Sequence, residues 1–182
     1  MNMTRQPVIP RRRFPLRILF VLSAATLLIE NFVDYPLGIP RFKRLAGGLS
    51  LLDLRFWYTS QAVDDLFKAL GEQGRRAYLQ LLWTIDVWLP LICAMFLAEV
   101  IFRGRFQWLS WFPALVAACD YAENSVITVL LCYYPTQLPF LVTFCASLTL
   151  MKFIGYFLAI VIAIVGFFEQ KEIDANGRGE DT

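Results

Sequence analysis

The chain contains no histidine. Ser-His-Asp and Cys-His triads, HExxH zinc sites and histidine-ligated haem are therefore excluded from within it. Cysteine is sparse: Cys93, Cys119, Cys132 and Cys145 are scattered, none forms a CxxC pair and none lies in the 34–76 segment. That argues against a disulfide oxidoreductase and leaves no cysteine framework to brace a loop. Membrane-buried thiols serve mostly as small apolar fillers. Charge is also scarce, at 18% of residues with a net +2, so there is no basic field to hold nucleic acid. What the chain has instead is apolar surface. It is 58% hydrophobic over 182 residues, against roughly 45–50% for soluble domains, and its length suits one domain.

A bilayer-crossing helix needs about 20 mostly apolar residues. Four segments qualify, over about 16–33, 77–102, 107–134 and 140–168. The fold class expected is all-α, a membrane-embedded up-down four-helix bundle, with an amphipathic helix in its first extracytoplasmic loop. Residues 1–15 form a basic tail, 34–76 a loop unit within the 16–168 membrane domain, and 169–182 a polar tail without regular structure. The first span reads as a retained anchor and not a cleaved signal peptide, because Ser23, Ala24 and Ala25 sit in the middle of the apolar run, not after it. Arg5, Arg11, Arg12, Arg13 and Arg17 precede or open span one, and Arg103 and Arg105 follow span two. The loop between spans three and four has no basic residue, so both termini are expected on the cytoplasmic side.

Within the loop unit, Pro36, Gly38 and Pro40 supply turn chemistry. A helix is predicted from Gln61 to Leu70, with Ala62, Val63, Leu66, Phe67 and Leu70 on one arc and Asp64, Asp65 and Lys68 opposite. Ser60 suits its N-cap and Gly71 its stop. The stretch from Leu51 to Tyr58 is too apolar for a free loop and is expected to dip against the span ends, carrying Arg55 with it.

The most informative residues are the charges inside the spans. Asp86, Asp120, Glu123 and Lys152 each cost on the order of 2.5–3.5 kcal/mol to insert. At 1.5 Å per residue they fall about 14–21 Å below the outer ends of their helices, in one layer. Asp120, Glu123 and Asn124 share a face by i, i+3, i+4 spacing. Near the outer end of span one, Glu30, Asn31 and Asp34 are candidates to approach the layer from above. Lys152 neutralises one carboxylate among three, so at least one carboxyl holds a proton or a cation is bound. Small-residue stripes, Ala114, Ala118 and Ala122 on span three and Gly155, Ala159 and Ala163 on span four, are expected to pack helix on helix.

The run Asp53-Leu54-Arg55, Tyr58-Thr59-Ser60, Leu70-Gly71, Gly74-Arg75, Tyr78, Asp86, Pro90 and Asp120-Tyr121-Ala122-Glu123-Asn124 resembles a group of uncharacterised four-span integral membrane proteins, over about residues 16–168. The resemblance implies four spans and the joint presence of these polar residues, and no activity. The functional expectation is an intramembrane acidic site of Asp86, Asp120, Glu123, Asn124 and Lys152 that binds a cation, proton, amine or lipid headgroup. Glu30, Asn31, Asp34 and Arg55 are secondary candidates at its outer end. No metal site, cofactor or catalytic residue is indicated. Partners are membrane lipids, with a membrane protein complex or a homo-oligomer as further candidates. Two alternatives stand beside this: a non-catalytic subunit of a larger complex, and a membrane enzyme acting on a lipid or isoprenoid through a carboxylate acid or base. The absence of a nucleophile or phosphate-binding motif weighs against the enzyme.

Overall fold

A computed structural model describes residues 15–179, with side chains as far as Glu169. Arg5, Arg11, Arg12 and Arg13, on which the basic-tail expectation rests, lie outside the described residues. The described chain is all helix, without strands: α1 (Leu16–Phe32), α2 (Ile39–Leu45), α3 (Ser60–Thr84), α4 (Trp88–Arg103), α5 (Phe112–Tyr133) and α6 (Pro139–Gly179), with short 3₁₀ turns at Leu52–Leu54 and Gln107–Leu109. Three stretches, Ser60–Arg103, Gln107–Tyr133 and Pro139–Glu169, are long and apolar enough to cross a membrane. α1 is shorter, at 17 residues. α5 packs along α6, and α4 packs against α1, α5 and α6.

Several elements differ from expectation, each for a local reason. The 77–102 segment is not one helix. Pro90 has no N–H to offer the carbonyl four residues back, and its ring crowds that turn. The helix accordingly breaks one turn earlier, at residues 85–87, where the Asp86 N–H reaches back five residues to the Leu81 carbonyl. The carbonyl of Val87, at the N-cap of α4, accepts a 2.7 Å hydrogen bond from the Tyr121 hydroxyl.

The helix expected over 61–70 starts at Ser60 and runs on to Thr84. Its N-cap is Thr59, whose hydroxyl accepts from the Ala62 N–H at 3.4 Å; Ser60 is already helical. Gly71 interrupts it with φ +62°, a left-handed value that glycine adopts without a Cβ clash. Helix resumes at once because nothing after Gly71 opposes it. At the far end, α6 continues to Gly179, past Glu169, where irregular chain was expected. Glu169, Gln170, Lys171 and Glu172 are good helix formers, and no breaker precedes Gly177.

The two small-residue stripes part company. Gly155, Ala159 and Ala163 are buried, and a Cβ on Gly155 would lie 2.7 Å from Val116 Cγ2, so α5 and α6 touch there because glycine permits it. Ala114, Ala118 and Ala122 are exposed instead. The inward face of α5 is set by Val116, Ala117, Asp120, Glu123, Asn124 and Ile127.

The larger core sits at the end where α1 leads into α2 and α3 begins. Phe42, Leu51, Leu52, Leu66, Phe67, Tyr78 and Ile127 are almost fully buried in it. The 51–58 segment is anchored in that core by Leu51, Leu52 and Tyr58, while Leu54, Phe56 and Trp57 remain exposed. Phe56 packs on Phe153 of α6 with ring centroids 4.6 Å apart, and Tyr58 reaches Thr149 of α6.

Candidate functional site

Three features of the fold converge on one layer. The break at 85–87 turns Asp86 inward, the buried face of α5 brings Asp120, Glu123 and Asn124, and the α6 face of Cys145, Thr149, Lys152 and Tyr156 meets them. Asn124 Nδ2 donates to Asp86 Oδ2 at 2.9 Å. Lys152 Nζ lies 2.7 Å from Glu123 Oε2, 3.3 Å from the Asp53 carbonyl and 3.4 Å from Asp120 Oδ1. Those three oxygens match the three protons of an ammonium. The layer therefore brings together all five residues of the main sequence-derived set.

The secondary candidates divide. Glu30 is 5% exposed and within electrostatic range of Asp53, Asp120 and Lys152. Asn31 stands apart, exposed, donating to the Leu27 carbonyl within α1. Asp34 is also exposed and pairs with Arg44. Arg55 turns away from the layer, donating twice to the Ser50 carbonyl at 3.0 and 2.7 Å.

Other members were not singled out from the sequence. Asp53 is buried, gives its carbonyl to Lys152, and its Oδ1 accepts from the Tyr78 hydroxyl at 2.5 Å. Tyr78 in turn accepts from the Leu52 N–H at 3.1 Å, pinning the 51–54 turn. Thr149 donates to Glu123 Oε1 at 2.6 Å and lies 3.3 Å from the Tyr58 hydroxyl. Tyr156 donates weakly to Asp120 Oδ2 at 3.5 Å. Thr149 and Tyr156 were detectable in principle, since they lie three residues before and four after Lys152 on one helix face. Asp53 carried no comparable signal, because its position depends on a loop entering the helix layer.

The charge count is now sharper. Glu30, Asp53, Asp86, Asp120 and Glu123 are buried, with Lys152 the one buried cation among the described residues. Among the described residues no group of three or more Cys, Asp or Glu side chains is placed to hold a metal ion. In the layer Asn124 Oδ1 is buried without a hydrogen-bond partner, and Glu123 Oε2 is met only by the Lys152 ion pair.

Ser23 belongs to a cleft of about 360 Å³ between α1, α4 and α6. Its walls are apolar, with Phe20, Leu27, Phe96 and Ile160 among them, and Asp120 and Tyr156 border its floor. Such a space lies in the size range of small-ligand sites. Comparison of this chain with protein-family models, with curated proteins and with solved structures finds no match.

Proposed function

We propose that this chain is a four-span integral membrane protein with both termini on the cytoplasmic side, and that its buried acidic layer binds a cationic or hydrogen-bond-donating group. In this reading α1 is a span, the broken α3–α4 pair a second, and α5 and α6 the third and fourth. The 34–59 segment with the first turns of α3 forms a cap on the outer side. The observation that carries the functional part is the excess of buried carboxyls, five beside one ammonium. In low dielectric a net surplus of negative charge is strongly disfavoured, so the layer holds protons, or a positively charged or donating ligand, in its working state. The lack of a metal-ligand cluster among the described residues favours a proton, amine or lipid headgroup over a caged metal ion. Asp86, Asp120 and Glu123 are the acceptors, Asn124 orients Asp86, and Lys152 is the resident counter-ion.

The test is to extract the protein in native lipid patches and identify by mass spectrometry what accompanies it. A small molecule or lipid retained by the natural protein and lost in Asp120→Asn or Glu123→Gln is the expected result. Unchanged occupancy in both variants, with the fold intact, would overturn the proposal. The exposed Ala114, Ala118 and Ala122 favour a second reading, since such a stripe suits close lateral packing against another membrane helix. A protein partner at fixed stoichiometry, released by Ala118→Leu, would make assembly the leading role.

A further inference from the structure

The exposed surface of this molecule changes character at the level of the acidic layer. On one side it is apolar: every exposed residue of α6 from Leu150 to Phe168, and of α1 from Ile18 to Ile29, is a hydrocarbon or thioether side chain. On the other side lies α3, whose exposed residues from Gln61 to Gln80 are all polar or charged except Ala69. Asp65, Lys68, Glu72 and Arg76 are among them, and each would cost on the order of 2.5–3.5 kcal/mol at the centre of a bilayer. The neighbouring turns of α5 and α6 and the loop joining them expose Ser125, Thr136, Gln137 and Thr143, with Phe140 and Phe144 interspersed.

The five tryptophans mark the same boundary independently. All are 49–69% exposed, and they fall in two bands. Trp57 lies between Phe56, which packs on Phe153, and Tyr58, which meets Thr149. Trp83 donates to Thr128 at 2.8 Å, and Trp88 follows the Val87 carbonyl that Tyr121 holds. These three flank the acidic layer. Trp108 and Trp111 lie at the opposite end, in the turn between α4 and α5. Exposed tryptophans gather where acyl chains give way to headgroups. Between the bands α4 rises about 22 Å from Trp88 to Arg103, and the apolar face of α6 runs about 27 Å. The acyl region of a bilayer is about 30 Å thick, and the long side chains of Arg17 and Arg103 suit the remaining few ångströms. α1 fits the same slab. Leu19 shares a hollow with Glu99 and Phe102 at one end, and at the other Glu30 reaches the layer while Asp34, just beyond, makes an exposed pair with Arg44.

We infer that the acyl region of the bilayer ends at the acidic layer. α1, α4 and the adjoining halves of α5 and α6 are embedded, whereas α2, the whole of α3 and the remaining turns of α5 and α6 form a cap outside. The partner of the apolar surface is the hydrocarbon of one bilayer, and the layer lies at headgroup depth beneath the cap. This rests on the four-span reading above and fixes what that reading leaves open: within the α3–α4 pair, α4 alone crosses.

The experiment places the full-length protein in nanodiscs of phosphatidylcholine brominated either close to the headgroup or close to the chain ends. Two variants keep a single tryptophan, Trp88 or Trp108, with the other four replaced by Phe. Both are expected to be quenched about twofold more by the shallow bromines than by the deep ones. Two further variants, Gln80→Cys and Leu158→Cys, are exposed to a water-soluble maleimide and their labelled peptides mapped by mass spectrometry. Gln80→Cys is expected to react and Leu158→Cys to stay protected, which keeps the test open if a tryptophan variant fails to fold. Stronger quenching of Trp88 by the chain-end bromines, or protection of Gln80→Cys as complete as that of Leu158→Cys, would put the layer inside the acyl region. The inference would then fall and the four-span reading would stand. Indifference of both tryptophans to bromines at either depth, or Leu158→Cys reacting as fast as Gln80→Cys, would remove both.

Discussion

Charges at the ends of this molecule and charges in its middle obey different rules. At the ends ten of them come in matched pairs. Arg44 meets Asp34, Lys68 meets Asp64, Arg76 meets Glu72, Arg103 meets Glu99 and Arg105 meets Glu169, all within 3.1 Å. Three of these are i,i+4 pairs on single helices, the commonest local device for helix surfaces. In the middle layer the count is five carboxyls to one ammonium, contributed by α1, the 51–54 turn, the α3–α4 break, α5 and α6. Paired end charges are self-sufficient and individually of small consequence. The buried set is neither local nor balanced, so each member depends on several others and the sum calls for something beyond the chain.

The largest effect separating the two regions is expected at Lys152. Replacing it with Met would leave Asp120 and Glu123 without their cation and free the Asp53 carbonyl. Breaking a buried pair in this way costs about 3–5 kcal/mol. Thermal unfolding in detergent measures it, and adding Glu123→Gln to Lys152→Met should restore part of the loss. If Lys152→Met were as mild as the loss of an end pair, the distinction between the regions would fail.

Next in size is Tyr78→Phe, which deletes one oxygen serving two partners, the Leu52 N–H and Asp53 Oδ1. Leaving a buried donor unsatisfied costs about 1–3 kcal/mol. The effect should be local. Amide hydrogen exchange across 51–58 is expected to quicken while α5 and α6 keep their protection. Uniform acceleration throughout the helices would mean that the segment is part of the global fold and not a separable closure over the layer.

Much of this arrangement was readable from residue order, and the rest was hidden for identifiable reasons. Apolar run length located the regions of α1, α4, α5 and α6, because a bilayer-length run has few alternatives, but not the break at 85–87 or the reach of α3 and α6. The charges at 86, 120, 123 and 152 stood out because their surroundings were apolar, and helical rise placed them at one depth. Asp53 was named only within the resemblance and not as a site residue, because it lies between Leu52 and Leu54 in a segment with no periodicity, and only tertiary packing against Lys152 gives it a role. Pro90 was visible within its span, yet its consequence appears four residues earlier, where Asp86 and Val87 leave the helix. The outward turn of Ala114, Ala118 and Ala122 shows that small size marks a surface capable of close packing, without saying which neighbour uses it.

The smallest effect is predicted at the Asp34–Arg44 pair, and its pH dependence sharpens the comparison. Arg44 donates to both Asp34 oxygens, at 2.6 and 2.7 Å, and this holds the Asp34 carboxyl below its ordinary value. A carboxyl whose folded value is depressed adds stability above its unfolded value and loses it as pH falls through the folded one. Both side chains are more than half exposed, so water and salt screen most of the attraction. Unfolding midpoints of the natural protein and Asp34→Asn should therefore coincide under acid, where Asp34 is protonated in both states, and separate only slightly at neutral pH. Raising the salt should erase even that difference. The same titration on Lys152→Met should show a gap that persists at high salt, because a buried imbalance is not screened by ions that cannot reach it. Were salt to close both gaps alike, the middle layer would be open to water, and its surplus of carboxyls would no longer require a bound partner.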